Sequence, residues 1–401
     1  MSTTIILGDV HLGKGTSIGK AGIGSSLNSR IVDQMNLLDW VLDRASEHGA
    51  NSIIITGDVF EEPNPPTHLI TLFISWLMKC QAHEIAVHII VGNHDILRTG
   101  NTYHSPLDII IEADIENVYV YKYIDTIFIG SFAYTLLPFR DRKSFNSESN
   151  ADALNLVKES LSYELAGIPT TYKKILIGHL AIEGSIPVGD EIDDMTNELF
   201  CPVSMFAGYD YVWMGHVHKP QVMQKSPYVA HIGSMDISNF GESEQEKHII
   251  VVDQDSNKVF FKESLPTRRL KKISVSIPKD TEDTTAYLIK HIKDMDDLDK
   301  SIVRLEVSLE TADLKSVDKK KVSKLLADKG VYNISAFSES RKISLVKKDK
   351  DAKNTIDNSF DVSSAIKKYG ELHVEDKLRP KFMEVATSIF NSYKASLKDK
   401  E

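Results

Sequence analysis

Cysteine is nearly absent from this chain. Only Cys80 and Cys201 occur in 401 residues, without any Cys-x-x-Cys spacing, so a disulfide framework is excluded and a reducing, cytosolic setting is expected. Long apolar runs are missing too. The longest, such as Ile85 to Val91, are strand-sized and far short of the roughly 20 residues of a membrane span, so no membrane association is expected. The start, Met1-Ser2-Thr3-Thr4, leads into an apolar strand with no basic region before it, so no secretory signal is expected. Positive charge is also short. Against 57 Asp and Glu stand 47 Lys and Arg, a net charge of -10, which argues against gripping a phosphate backbone by bulk charge alone. Nucleic-acid chemistry would then need metal ions at the carboxylates or a partner with a basic surface. No Gly-x-x-x-x-Gly-Lys-Ser/Thr nucleotide loop is present.

What is there is globular: 42% hydrophobic and 26% charged residues, at a length suited to two or three folded units. Over the first 250 residues short apolar runs end in glycine plus a metal-capable side chain. Thr3 to Leu7 leads to Gly8-Asp9, Ser52 to Ile55 to Gly57-Asp58, and Ile85 to Val91 to Gly92-Asn93-His94-Asp95. Ile175 to Ile177 leads to Gly178-His179, and Tyr211 to Met214 to Gly215-His216-Val217-His218. Helical spacing over Ile31 to Ala45 and Thr67 to Cys80 separates the early strands, and strand pairs follow from Tyr228 to Phe261, an α/β sandwich pattern. In such folds ligands gather beyond the carboxyl ends of strands.

After about Leu265 the pattern changes to a βαβαβ unit, with strands over Leu270 to Ile277, Ile302 to Leu309 and Val331 to Phe337. Helical stretches lie near Thr284 to Lys293 and Asp318 to Asp328. The expected division is 1–264, 265–346, a charged linker at 347–358, and a helical hairpin at 359–401. In the hairpin Asp361 caps a first helix and Pro380 suits the first turn of a second, whose Phe382, Ala386, Ile389, Tyr393 and Leu397 form one stripe. So small a hairpin cannot bury that stripe alone. It packs on its own protein or docks on a partner, and the linker favours the partner.

Singly, each ligand-type motif has a bland reading: Asp-x-His and Gly-Asp are common turns, and a lone histidine is more often a core or surface residue. Together they decide otherwise, because five occur in order, each at a strand end, and they hold five of the 14 histidines. Asp9, His11, Asp58, Asn93, His179, His216 and His218 are therefore candidate metal ligands. Mixed carboxylate, amide and imidazole donors suit manganese, iron or zinc. Seven donors exceed what one tetrahedral ion uses, so two ions are expected, with Asp58 as the bridge. Such a pair activates water and clamps the oxygens of an in-line displacement at phosphorus. His94 is the expected proton donor to the leaving oxygen, with Asp95 orienting its other nitrogen.

At these residues, standing as GDVHLG, GDVFEE, GNHD, GHLAIEG and GHVHKP, the chain resembles the calcineurin-like metallophosphoesterase superfamily over about its first 220 residues. The resemblance implies a four-layer α/β/β/α sandwich. It also implies one ion held by Asp9, His11, Asp58 and His218 and the other by Asp58, Asn93, His179 and His216. More narrowly the chain is similar to the SbcD-type nuclease subunits of DNA-repair complexes, in bacterial or phage-encoded form. The segment from His231-Ile232-Gly233-Ser234-Met235 through Phe240-Gly241-Glu242 to Glu246-Lys247-His248 carries that likeness, followed by the small α+β unit as a capping domain and the hairpin.

This implies a metal-dependent DNA nuclease, cutting duplex ends as an exonuclease and hairpins or single strands as an endonuclease, with manganese preferred. The implied partners are an SMC-like ABC-type ATPase of the SbcC type on the hairpin, DNA, and a second copy through Leu69 to Leu77 and Leu107 to Ile111. The implied place is the cytoplasm of a bacterial cell or phage-infected host, and the implied process is DNA repair, recombination or replication. One departure stands out: many members read G-D-x-F-H, whereas here Glu61 ends Gly57-Asp58-Val59-Phe60-Glu61, and an acid there is expected to repel the scissile phosphate. The stretch Gly13 to Ser29, with Lys14, Lys20 and then Arg30, reads as a substrate loop or a plain connection. The alternatives are a stand-alone phosphoesterase for nucleotides or phosphoproteins, and a non-catalytic subunit that tethers DNA ends.

Overall fold

A computed structural model describes residues 3–22, 27–99, 102–188, 198–253, 259–311, 313–341, 379–383 and 385–387. The chain divides into two units, 1–344 and 345–401. Thr3–Leu7 and Ala50–Ile55 are apolar without alternation because both of their faces are covered. They lie in a six-stranded sheet whose order is Phe260–Ser264, His248–Asp253, Thr3–Leu7, Ala50–Ile55, Ala86–Ile90, Val118–Tyr121, with the last four strands parallel. A second six-stranded sheet runs Gln221–Lys225, Tyr228–His231, Tyr211–Met214, Lys173–Gly178, Phe132–Leu137, Asp125–Ile129, again with four parallel strands, here flanked by antiparallel edges.

Successive side chains of a strand point to opposite faces, and the core divides accordingly. Ile6, Ile54, Ile90 and Ile250 of the first sheet meet Tyr134, Leu136, Ile175, Ile177 and Trp213 of the second in one inner layer. Their neighbours Ile5, Leu7, Ile53 and Ile55 turn outward, onto Leu38, Val41 and Leu42 of the helix Ser29–Glu47 and Phe73, Trp76 and Leu77 of the helix Thr67–Ala82. On the far side Leu176, Val212 and Met214 pack on Val157 and Leu161 of the helix Asn150–Gly167. The result is a four-layer α/β/β/α sandwich. The segments that the resemblance assigns to pairing of two copies are divided between core and surface, with Ile70, Leu72 and Ile74 half-buried. Leu69, Phe73, Trp76, Leu77, Leu107 and Ile110 are buried in this chain's own core, and Met78, Ile109 and Ile111 remain exposed.

Three parallel strands, Leu270–Ile277, Ile302–Leu309 and Asn333–Arg341, form a separate sheet with the helices Thr284–Lys293 and Lys319–Asp328. Asp283 and Asp318 cap those helices by accepting two backbone N–H bonds each. Ile18, Ile237, Leu270 and Ile302 join this sheet to the rest of its unit. Beside them Asp33 accepts both a bidentate pair from Arg268 (2.7 and 2.6 Å) and a bond from Arg30 (2.8 Å), while Arg30 also reaches Asp236. Arg30 is therefore a fully buried seam residue and no part of a substrate loop. Lys20 lies over the Tyr332 ring, Lys14 pairs with Glu61, and Gln34 bonds the backbone of His11, Gly13 and Lys14, so this stretch is anchored where it is described. The expected linker 347–358 and most of the expected hairpin lie outside the described residues; 379–383 and 385–387 are helical. No helix among the described residues is long and apolar enough to cross a membrane.

Candidate active site

Five strands deliver the candidate donors, three parallel neighbours in the first sheet and two in the second. Thr3–Leu7, Ala50–Ile55 and Ala86–Ile90 of the first sheet end just before Asp9 and His11, Asp58, and Asn93 and His94. Lys173–Gly178 and Tyr211–Met214 of the second end before His179 and before His216 and His218. The loops can converge because glycine leaves room: a Cβ on Gly92 would lie 2.1 Å from Asp58 Oδ1, and one on Gly57 2.4 Å from His179 Nδ1. His11, Asp58 and His216 hold left-handed backbone at φ 46, 46 and 76°, a conformation costly for such residues and concentrated at functional sites.

The structure brings all seven together in two groups. Asp9, His11 and His218 place donor atoms within 4.8 Å of one another, as do Asp58, His179 and His216. Asp58 joins the groups, with Oδ2 at 3.5 Å from His11 Nε2 and 3.2 Å from His179 Nε2. Asn93 Oδ1 sits 2.9 Å from both His179 Nε2 and His216 Nδ1. Thr56 donates to Asp9 Oδ1, and the backbone N–H of His216 donates to Asp9 Oδ2.

The donor chemistry fits divalent cations. His179 Nδ1 donates to the Thr56 carbonyl at 2.8 Å, which leaves its Nε2 lone pair facing the oxygens of Asn93 and Asp58. His218 Nε2 and His11 Nε2 face each other at 2.8 Å. Opposed lone pairs need a proton or a cation between them. Burial works against a charge on His179, but the Asp58 and Asp9 carboxylates outweigh it and push its pKa up to about 10. Burial tends to neutralise Asp58, yet His179 and His94 hold it well below the usual carboxylate range. Burial, with Lys14 beside it, keeps His11 neutral.

His94 lies at the edge of the cluster, half-buried, its ring 4.8 Å from that of His11. Its backbone N–H donates to Asp58 Oδ1 and its Nδ1 to the Glu61 carbonyl at 2.7 Å, leaving Nε2 as the exchangeable position. Burial lowers its pKa, but Asp58 and Glu61 outweigh this and raise it, favouring the proton-carrying form. Asp95 does not orient His94, contrary to expectation. Its carboxylate turns inward and accepts the backbone N–H groups of Gly92, Val59 and Phe60, tying two ligand loops together. Burial and the nearby Asp58 push its pKa up to about 7 against those bonds. Nor is Glu61 an unopposed acid: Oε2 lies 3.1 Å from Lys14 Nζ and 2.8 Å from His11 Nδ1.

Sequence reasoning missed the chemistry of two further acids. Glu198 pairs with His216 Nε2 on the side away from Asn93. Glu242 is fully buried, with Oε1 3.6 Å from His218 Nδ1, and forms an ion pair at 2.8 Å with the fully buried Lys247. Lys247 also donates to the His218 carbonyl and to Ser234 Oγ, both at 2.8 Å. The Phe-Gly-Glu and Lys positions were visible only as a signature, since nothing in the sequence places them against His218.

Among known proteins the chain is 23% identical over 271 residues to the SbcD subunit of the nuclease SbcCD from Escherichia coli strain K12, covering 59% of this chain and 63% of that one. It is 27% identical over 283 residues to the SbcD subunit of the nuclease SbcCD from Staphylococcus epidermidis, covering 67% and 73%. It is also 23% identical over 220 residues to the DNA double-strand break repair protein Mre11 of Methanopyrus kandleri, covering 54% and 44%. The chain spans just under two thirds of the length of the Escherichia coli relative it matches. The model of the calcineurin-like phosphoesterases matches residues 2–220, more than half of the chain and every candidate donor, and the chain belongs to that family.

Proposed function

We propose that this metallophosphoesterase is a DNA nuclease that hydrolyses phosphodiesters at duplex ends, hairpins or single strands. The observation that carries the reading is the pair of donor groups meeting at Asp58 with the half-buried His94 beside them. Asp9, His11, Asp58 and His218 would hold one divalent cation, and Asp58, Asn93, His179 and His216 the other. Manganese is proposed for both, on the mixed donors and the family likeness. When bound, such ions supply an activated water and polarise phosphoryl oxygens.

The rest of the chemistry falls to the chain. His94, its Nδ1 fixed on the Glu61 carbonyl, presents Nε2 to protonate the leaving oxygen. Asp95 keeps the loops of Asp58 and Asn93 in register through the backbone. Lys14 offsets the Glu61 carboxylate, so the local charge facing a phosphate is close to balanced. Glu242 orients His218 as a positioning residue, since ligand imidazoles are commonly fixed by a carboxylate on the other nitrogen.

Likeness to the SbcD-type subunits supports the wider assignments. Residues 265–346 serve as a cap, 347–358 as a linker and 359–401 as the hairpin that docks on an SMC-like ABC-type ATPase. The proposed setting is DNA repair, recombination or replication in the cytoplasm of a bacterial or phage-infected cell. The test is manganese-dependent hydrolysis of bis(p-nitrophenyl) phosphate beside p-nitrophenyl phosphate, with linear DNA as a third substrate. Turnover of the diester and of DNA is expected. Rapid turnover of the monoester with no effect on DNA would favour a stand-alone phosphomonoesterase instead.

A further inference from the structure

A cavity of about 1330 Å³ adjoins the donor cluster, and nothing in the chemistry above uses it. Two of its lining residues also touch the site. Phe139 places its ring 6.1 Å from His216 and 6.3 Å from His179, and Ile96 donates its backbone N–H to the Asn93 carbonyl. The cavity exceeds the roughly 300–1,000 Å³ of a small-molecule pocket, so its size suits a length of chain.

Its lining holds four cations, Lys122, Arg140, Arg142 and Lys143, against three acids, Glu148, Glu159 and Glu164, so it leans slightly positive in a molecule of net -10. Arg140, Arg142 and Lys143 line it, and none of them has a carboxylate within ion-pair distance among the described residues. Arg140 is nine-tenths buried; among the described residues it donates to the carbonyls of Phe139 and Lys122 (2.8 and 2.7 Å), and its guanidinium lies over one face of the Tyr123 ring, 5.9 Å from its centroid. The cost of burying a guanidinium on neutral acceptors alone is met when it has an anion to face. Glu148, Glu159 and Glu164 share the wall at positions apart from these cations, none within ion-pair distance of them among the described residues, and Glu164 accepts from Thr126 Oγ1. Tyr123 and Tyr163 are 75% and 80% exposed at the same cavity, large rings left in water.

From these positions we propose that the cavity is a track for single-stranded DNA leading away from the donor cluster, with Arg140, Arg142 and Lys143 on the phosphates and Tyr123 and Tyr163 stacking on bases. Cations beside exposed aromatic rings are the combination that holds unpaired strands, because only unstacked bases offer a face to a ring. An acidic peptide would use the cations and leave the rings idle. The inference rests on the phosphodiesterase reading of the adjoining site and names where its substrate strand lies.

The test is fluorescence anisotropy with a labelled 20-nucleotide single strand, the full chain and EDTA, which separates binding from cleavage. Arg142→Glu with Lys143→Glu, and separately Tyr123→Ala with Tyr163→Ala, should each weaken binding about tenfold. In the charge-reversed pair the slope of log affinity against log salt should also become shallower by about 1.4, since each lost phosphate contact on a single strand is worth about 0.7. Unfolding midpoints equal to wild type show that the variants are folded. A control with the same charge change elsewhere, Lys290→Glu with Lys324→Glu, should bind as wild type. The proposal is overturned if the groove variants keep wild-type affinity and slope, if the control loses as much, or if polyglutamate displaces the strand as well as unlabelled DNA does. Hydrolysis of bis(p-nitrophenyl) phosphate by the wild type is read separately: its failure sinks the phosphodiesterase reading, whereas the anisotropy alone decides the track.

Discussion

His218 shows how much of this site depends on residues that are not themselves donors. Its Nε2 faces His11, while the Glu242 carboxylate stands near its Nδ1, fixed in turn by Lys247, Ser238 and Asn239. Glu242→Gln keeps the shape and removes the charge that favours an Nδ1 proton. Manganese binding measured by calorimetry should weaken about 10–100-fold, the usual cost of losing an outer-shell partner. Lys247→Met alone strands a buried carboxylate and should cost about 3–5 kcal/mol of stability. Pairing it with Glu242→Gln should restore stability while metal affinity stays low; recovery of both would reduce Glu242 to a structural role. At this scale the seven candidate donors were legible as a set that converges, because Gly plus a ligand-type residue at the end of a buried strand is a local pattern. Asp95 was misread because adjacency to His94 suggested contact, whereas the turn sends the two side chains apart. Glu61 was misread because Lys14, its counter-charge, is 47 residues away in sequence.

Among the elements, the strand Ala86–Ile90 carries a buried titratable group that no charge compensates. Among the described residues His88 donates or accepts only at Tyr121 Oη (2.9 Å) and stacks on Tyr119, and burial lowers its pKa to about 4. The unfolded chain takes up this proton first, near pH 6.5, so stability is full above that value and lost as pH falls towards 4. The loss approaches about 3 kcal/mol from this residue, at about 1.4 kcal/mol per pH unit. His248, at about 4, and His231, at about 3, act in the same direction. Urea unfolding of His88→Gln should show a shallower decline over that window, and profiles parallel to wild type would contradict it. The elements with a sharp period were the legible ones. Leu270–Ile277 alternates buried and exposed residues, and the strands leading to the donors are short apolar runs closed by glycine. Phe132–Leu137 and the helix Asn150–Gly167 lead to no ligand-type residue, and their places, the strand inside the second sheet and the helix on that sheet's outer face, came only with the tertiary structure.

Across the whole molecule, the site exists only because two sheets present their carboxyl strand ends to one point. Three donor loops come from one sheet and two from the other, and the inner layer of Ile6, Ile54, Tyr134, Ile177 and Trp213 sets their spacing. The ordered motifs made that convergence readable in advance. Long-range charge was not readable: a net -10 hid the gathering of Arg140, Arg142 and Lys143 at one cavity, none of them in an ion pair among the described residues. The most direct test of the central claim is cleavage of end-labelled linear duplex DNA with manganese, comparing the intact chain with His94→Gln, with bound metal measured in both. Shortening of the duplex by the wild type only, at equal metal content, is the expected result. Equal cleavage by the variant, or no cleavage by metal-loaded wild type, would contradict it.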